Sequence, residues 1–431
     1  MNLKLLLSVF LLLFSTIDPL VTHNPVYDSE FLVPSKTRIS NEIADFEYSE
    51  IIERSFTSFM NRWNIRGASV AVSNGGRLVF AHGYGYADTV TKQEVQPYHR
   101  FRIASVSKLI TAVAIMRLCE EGRISMHDRV FGVDGILNDS LFAAPRDKRV
   151  YSITVAHLLG HRGGWSVRYG DHMFITPTVA RLGGYEMPLS TEDYVRFALD
   201  RRLHFTPGTG SSYSNLGYAI LGLVIEKVSG MDYEEYCRRE ILEPVGIYDF
   251  ALAKNLESDR LPNEVKYYEH EDALPKLSVY GTGEMVSAAY GGNDIESLMG
   301  AGAWVATAPD LMRLLLAVDG FDYNPDIISS ESVETMTDIR NGYAPLGWKS
   351  TYENGVWWRT GFFPGTTAMM KRMPGGISWV VILNSSAWNG PELTNDINTL
   401  MNRVIARVGE WPQYDLFRYS LPVPIKEYIQ E

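Results

Sequence analysis

Apolar positions along the chain change period four times, and the order of those periods predicts the architecture. Ile43 to Trp63 carries apolar residues at helical spacing and predicts an amphipathic helix. Gly67 to Asp88 reads as strand on both sides of Asn74-Gly75-Gly76, a hairpin signal. Leu109 to Cys119 is apolar nearly all round and closes at Gly122, which predicts a buried helix with a glycine stop. From Arg123 to about Leu298 the pattern is helical and loop-rich. Within it Ser190-Thr191-Glu192-Asp193 marks a helix start before Tyr194 to Leu199. Thr307 to Val318 predicts another capped helix, and Glu392 to Val408 a closing one. Between them, from about Leu346 to Asn384, strands dominate. Thr367 to Met373 and Ile377 to Asn384 form a hairpin through Pro374-Gly375-Gly376. Strands at both ends of the chain around a helical middle predict an α/β fold: one antiparallel sheet flanked by helices, plus an all-helical region inserted at about 123–298. No internal repeat or low-complexity tract interrupts this order.

Composition adds bounds. The chain has 431 residues, 45% hydrophobic and 21% charged, which suits a globular protein with a large core. Length alone suggests two or three domains. A net charge of -11 without a basic patch argues against nucleic acid as a partner and leaves a small-molecule or peptide substrate. Lys4 followed by the apolar run Leu5 to Phe14 is a secretory signal pattern, too short for a comfortable membrane span. The expected location is therefore secreted or periplasmic, with an uncleaved anchor as the alternative. The expected division is a signal peptide at 1–22, an extended segment at 23–42, one domain at 43–410 and a tail at 411–431. Cys119 and Cys237, both within helix-like stretches, read as free thiols. The sequence leaves oligomeric state open.

The candidate chemistry begins at Ser105 and Lys108, at the start of the apolar helix. Residues three apart share a helix face, so the lysine sits one turn from the hydroxyl and can take or share its proton. Alone, a Ser-x-x-Lys tetrapeptide is a weak signal, and the serine is then a helix cap. A second element is the turn-rich loop from Thr206 that brings Tyr213-Ser214-Asn215 to a helix start. A phenol beside an ammonium can serve as a general base, and Asn215 can hold the lysine or a substrate carbonyl. The bland alternative is a capping Ser214 or Asn215 and a packed Tyr213. The third element is Arg359-Thr360-Gly361-Phe362 on a strand whose glycine allows close approach of substrate.

Together these elements resemble the serine beta-lactamase and penicillin-binding-protein superfamily, with its Ser-x-x-Lys, Ser-Asp-Asn and Lys-Thr-Gly set. Tyr-Ser-Asn in the middle position is similar to the branch of class C beta-lactamases, D-alanyl-D-alanine carboxypeptidases and family VIII esterases. The resemblance runs from about Ile51 to Gly409 and takes in Gly67 to Val72, Thr154 to Gly164 and Gly300 to Leu311. It implies a cleft between an α/β and a helical region. It also implies Ser105, Lys108 and Tyr213 as catalytic residues, an oxyanion hole from the N–H groups of Ser105 and Phe362, and no cofactor. Asn215, Arg359, Thr360, Gly361 and Phe362 then line the substrate. One departure stands out: Arg359 occupies the place of a lysine or histidine. Its fixed charge is expected to favour ionised Tyr213, and its fork to suit a carboxylate.

The expected activity is hydrolysis of an ester or amide through an acyl ester on Ser105, as an esterase or a D-amino peptidase or carboxypeptidase. Beta-lactam hydrolysis and a non-catalytic binding protein on the same fold are the alternatives. A Ser-His-Asp hydrolase lacks support: no histidine follows His270 and no Gly-x-Ser-x-Gly elbow is present. His157 and His161 are four apart, but the His-Glu-x-x-His metal motif is not met, and His161 reads as structural.

Overall fold

A computed structural model describes residues 38–43, 45–340 and 344–418. The expected signal peptide, most of the 23–42 segment and the end of the tail lie outside the described residues. Among the described residues, seven strands form an antiparallel sheet: β1 (Gly67–Asn74), β2 (Arg77–Asp88), β3 (Gln93–Glu94), β4 (Ser350–Thr351), β5 (Trp357–Phe363), β6 (Thr366–Arg372) and β7 (Ile377–Leu383). Their order is β3-β2-β1-β7-β6-β5-β4. The two ends of the chain meet at the β1–β7 pair, where Ala68 faces Leu383 and Asn74 faces Ile377. This is the α/β fold with an antiparallel sheet flanked by helices that the pattern predicts.

Both sheet faces are covered, so the central strands are apolar on both sides. Val70, Val72, Trp379 and Val381 pack under helix α1 (Ser49–Trp63) and the C-terminal helix Gly390–Arg407, against Ile52, Phe56, Leu393 and Ile397. Ala71, Met370, Val380 and Ile382 face the larger core, shared with helix α2 (Ser107–Glu120) and the helix Ala308–Leu316. Burying one such large side chain contributes about 1.5–3 kcal/mol, and that gain fixes the strand register.

The first helix begins at Ser49 rather than Ile43. The Asn41 amide is committed to the sheet, accepting from Gly83 N–H and donating to the carbonyls of Gly83 and Val95. The chain is thereby held on the sheet, and the helix starts only where Ser49 Oγ accepts from the Phe46 N–H. Packing also continues past residue 410. Trp411 and Leu416 are buried, and Asp415 accepts from the Leu78 N–H.

The 123–298 region is helical and loop-rich, with the Ser190–Asp193 capping box in place. It also holds two-residue strands too short to leave a period in the sequence. One of them, Ala251–Leu252, pairs with Trp304–Ala306, which pairs in turn with Phe101–Arg102. The Ile103 N–H extends that pairing to the Trp304 carbonyl. The chain therefore enters the Ser105 turn from a fixed strand. Among the described residues no helix is long and apolar enough to cross a membrane.

On its other side the same turn rests on β5. A Cβ on Gly361 would lie 2.1 Å from the Ile103 carbonyl oxygen and 3.1 Å from the Ser105 nitrogen. The glycine therefore lets the strand approach the protein's own Ile103–Ser105 turn, where the sequence reading had it admit substrate. Gly361→Ala is expected to lower stability by about 1–3 kcal/mol through overpacking, a fall of several degrees in the calorimetric midpoint. An unchanged midpoint would contradict this packing.

Candidate active site

Ser105 sits in a single 3-10 turn, Ala104–Val106, that runs straight into α2. Ala104 adopts φ +45°, a left-handed conformation that costs a residue with a Cβ on the order of 1 kcal/mol or more. The pairing of Ile103 on one side and the bare Gly361 on the other hold it there. The sequence reading put Ser105 on the helix itself. The tighter turn still brings the two side chains together, with Lys108 Nζ 3.3 Å from Ser105 Oγ.

Lys108 is fully buried. Its three N–H groups find three acceptors: Ser105 Oγ, Asn215 Oδ1 at 2.7 Å and the Ala301 carbonyl at 2.5 Å. Burial pushes its pKa down and the Arg359 charge pushes the same way; Tyr213 opposes both, and the result is about 8. The Ala301 carbonyl reaches in because Gly300 has no side chain. A Cβ there would lie 2.8 Å from Thr111 Oγ1 and 2.9 Å from the Tyr218 carbonyl oxygen.

Tyr213 OH is 2.6 Å from Ser105 Oγ. Burial raises the phenol pKa, but the charges of Lys108 and Arg359, helped by the Ser105 hydrogen bond, outweigh it and bring it down to about 8. Ser214 caps helix α3 (Asn215–Ser229) by accepting from the Gly217 N–H. That leaves Asn215 free for the site. Its carbonyl oxygen accepts from Lys108, and its amide nitrogen donates to Asp171 Oδ2 at 2.7 Å.

Arg359 is only 2% exposed. Its Nε donates to the Ser105 carbonyl at 2.8 Å, Nη1 to the Trp348 carbonyl at 3.2 Å and Nη2 to Tyr213 OH at 3.4 Å. The fork expected to suit a substrate carboxylate is thus turned onto the protein, and its charge lies against Tyr213.

His161 brackets Tyr213. The Ser212 N–H donates to the His161 carbonyl at 2.9 Å, and the Ser214 N–H to its Nδ1 at 3.2 Å. The ring centre lies 4.7 Å from that of Tyr213. Burial, then the Arg359 and Lys108 charges, push the imidazole pKa well down, so it stays neutral with Nδ1 as acceptor. His157, the other histidine weighed as a ligand, accepts from the Thr154 N–H in a helix cap. Among the described residues no group of three His, Cys, Asp or Glu side chains could hold a metal ion.

A cavity of about 280 Å³ opens over Ser105, lined by Tyr213, Asn215, Arg359, Thr360 and Phe362. The structure therefore gathers Ser105, Lys108, Tyr213, Asn215, Arg359, Thr360 and Phe362, while the Cα of Gly361 faces the Ile103–Ser105 turn. The sequence reading missed the roles of Asp171, which holds the Asn215 amide, and of Ala301 and the exposed Lys349 at the cavity wall. None has a local pattern; only the glycine beside Ala301 marked that stretch.

Comparison with known proteins places these residues in context. The Beta-lactamase family model matches residues 52–400. Protein flp of Staphylococcus aureus is 28% identical over 56% of this chain and 44% of its own length. Penicillin-binding protein 4* of Bacillus subtilis is 26% identical over 70% of this chain and 64% of its own length. This chain thus spans less than two thirds of either relative. In fold it is similar to the octameric penicillin-binding protein homologue from Pyrococcus abyssi, with a TM-score of 0.62 and 24% identity over 83% of this chain and 78% of that one. The D-amino acid amidase from Ochrobactrum anthropi complexed with L-phenylalanine amide gives a TM-score of 0.63 and 21% identity, over 84% of this chain and 98% of that one.

Removing the His161 ring tests the bracket. His161→Ala is expected to speed hydrogen exchange at the Ser214 amide by about 10-fold, the equivalent of one lost hydrogen bond. His161 has φ +57°, a left-handed backbone that asparagine tolerates, so His161→Asn is expected to keep more of the protection. Equal exchange in wild type and His161→Ala would remove the bracketing role.

Proposed function

The chain belongs to the beta-lactamase family, and from that premise we propose that it is a serine hydrolase that transfers an acyl group through an ester on Ser105. The observation that carries this is the 2.6 Å contact between Ser105 Oγ and Tyr213 OH above a buried, fully hydrogen-bonded Lys108. That set is a nucleophile, a base of lowered pKa and a cation to stabilise the ionised base. Kinship with penicillin-binding proteins, and a fold shared with an amidase, supports an ester or amide carbonyl as the substrate group.

The reaction follows from these positions. Ionised Tyr213 takes the hydroxyl proton as Ser105 Oγ bonds to the carbonyl carbon. The carbonyl oxygen gains the electron pair and is held by the N–H groups of Ser105 and Phe362, donors that typically lower a barrier by about 3–4 kcal/mol each. Collapse breaks the bond to the leaving group, which departs with the proton from Tyr213. Water then gives a proton to Tyr213 and attacks the ester, and Ser105 Oγ leaves and regains its proton. Arg359 keeps its charge beside the phenolate, and protonated Lys108 supplies a second one. Lys4 and the following apolar run support export of the enzyme.

Ser105→Ala is expected to abolish turnover of p-nitrophenyl esters and labelling by a fluorophosphonate; an adduct on another serine would overturn the assignment. Tyr213→Phe is expected to lower kcat by about 10²-fold or more, as loss of a general base does. Unchanged turnover would make Lys108 the sole base.

The pH dependence has a definite sign. The active form carries ionised Tyr213, so kcat/KM rises with pH through the coupled pair near 8. Removing the Arg359 charge raises the phenol pKa, so Arg359→Gln is expected to move that limb to higher pH. A limb at the same pH in both proteins would separate Arg359 from Tyr213.

A further inference from the structure

A second cavity, of about 690 Å³, adjoins the one over Ser105, and Phe362 belongs to the walls of both. Its other walls include Leu274, Ala288, Pro364, Ala387 and Trp388. Three large apolar side chains there face solvent: Leu274 is 82% exposed, Trp388 73% and Phe362 45%. The Phe362 ring lies against the α-carbon of Gly390, at the start of the C-terminal helix, where an added Cβ would sit 2.9 Å from the ring. Exposed apolar groups collected in a concave surface beside a reactive centre mark a binding site. The polar rim includes Glu269 and Asp272, which oppose a second negative charge.

Strand β5 fixes which part of a substrate arrives there. Arg359 touches Tyr213, and Phe362 lies three residues further along, about 10 Å at the strand rise. The leaving group takes its proton from Tyr213 and so occupies the Arg359 end. The acyl group then extends the other way, past Phe362. We propose that this groove is the acyl-binding site and that it takes an uncharged aryl or alkyl acyl group. The inference rests on the acyl-enzyme reading above and adds to it a substrate class.

The test is a chain-length series of p-nitrophenyl acetate, butyrate and octanoate, with mono-p-nitrophenyl glutarate as the anionic member. In the wild type kcat/KM is expected to rise about 4-fold for each methylene buried, until the groove is filled, and to fall for the glutarate. Trp388→Ala, and independently Leu274→Asp, are expected to lower the octanoate-to-acetate ratio by about 10-fold or more. A flat series in an enzyme that turns over acetate, or an unchanged ratio in both folded variants, would overturn the groove while leaving the acyl-enzyme reading intact. Absence of turnover and of any Ser105 adduct would sink that reading instead. The groove is then decided by calorimetric titration of Ser105→Ala protein with 4-phenylbutanamide: saturable binding weakened by Leu274→Asp supports it, and no binding overturns it.

Discussion

A positive charge sealed from water is the constraint on which this site is built. Lys108 is fully buried, and a bare ammonium in such a place is too costly to remain ionised. Its three donors each have an acceptor, and the three acceptors come from distant parts of the chain: the Ser105 turn, the start of α3 and the Gly300–Ala301 segment. Satisfying one ammonium therefore joins the strand-led Ser105 turn to the helical region. The same charge lowers the Tyr213 phenol toward a useful base. Stability and chemistry here draw on one group.

Arg359 extends that arrangement from the sheet. Three of its donors are held by the Ser105 carbonyl, the Trp348 carbonyl and Tyr213 OH. It is tied to the backbone of Ser105 and to the hydroxyl of Tyr213. Two cations then flank one phenol, and the arrangement stays compact because Gly361 lets β5 rest directly on the turn. The neutral His161 fits the same logic, since a third cation beside Tyr213 would add repulsion that burial already disfavours.

Some of this was legible along the chain and some was not. Ser105 and Lys108 show as a pair because residues three apart meet in any helical turn. The sheet shows because its apolar strands and glycine turns are local. Tyr213 and Asn215 show as a polar cluster before an apolar helix, although the sequence left open which of Ser214 and Asn215 caps; the structure gives that task to Ser214. Asp171, Ala301 and Lys349 are set by tertiary approach and leave no period or motif. The direction of the Arg359 fork is likewise invisible in sequence, because an arginine on a strand reads the same whether it meets substrate or backbone. The helix that begins at Ser49 rather than Ile43 has the same cause: Asn41 bonds with residues more than forty positions away.

The central claim is that Tyr213 ionises near neutrality because Lys108 stands charged beside it. Its most direct measurement is the ultraviolet titration of phenolate in the wild type, with the Tyr213→Phe protein subtracted. A single phenolate should appear with a midpoint near pH 8, and the midpoint should move upward in Lys108→Met. A difference titration with its midpoint at about 10, the ordinary tyrosine value, unmoved by Lys108→Met, would contradict the account.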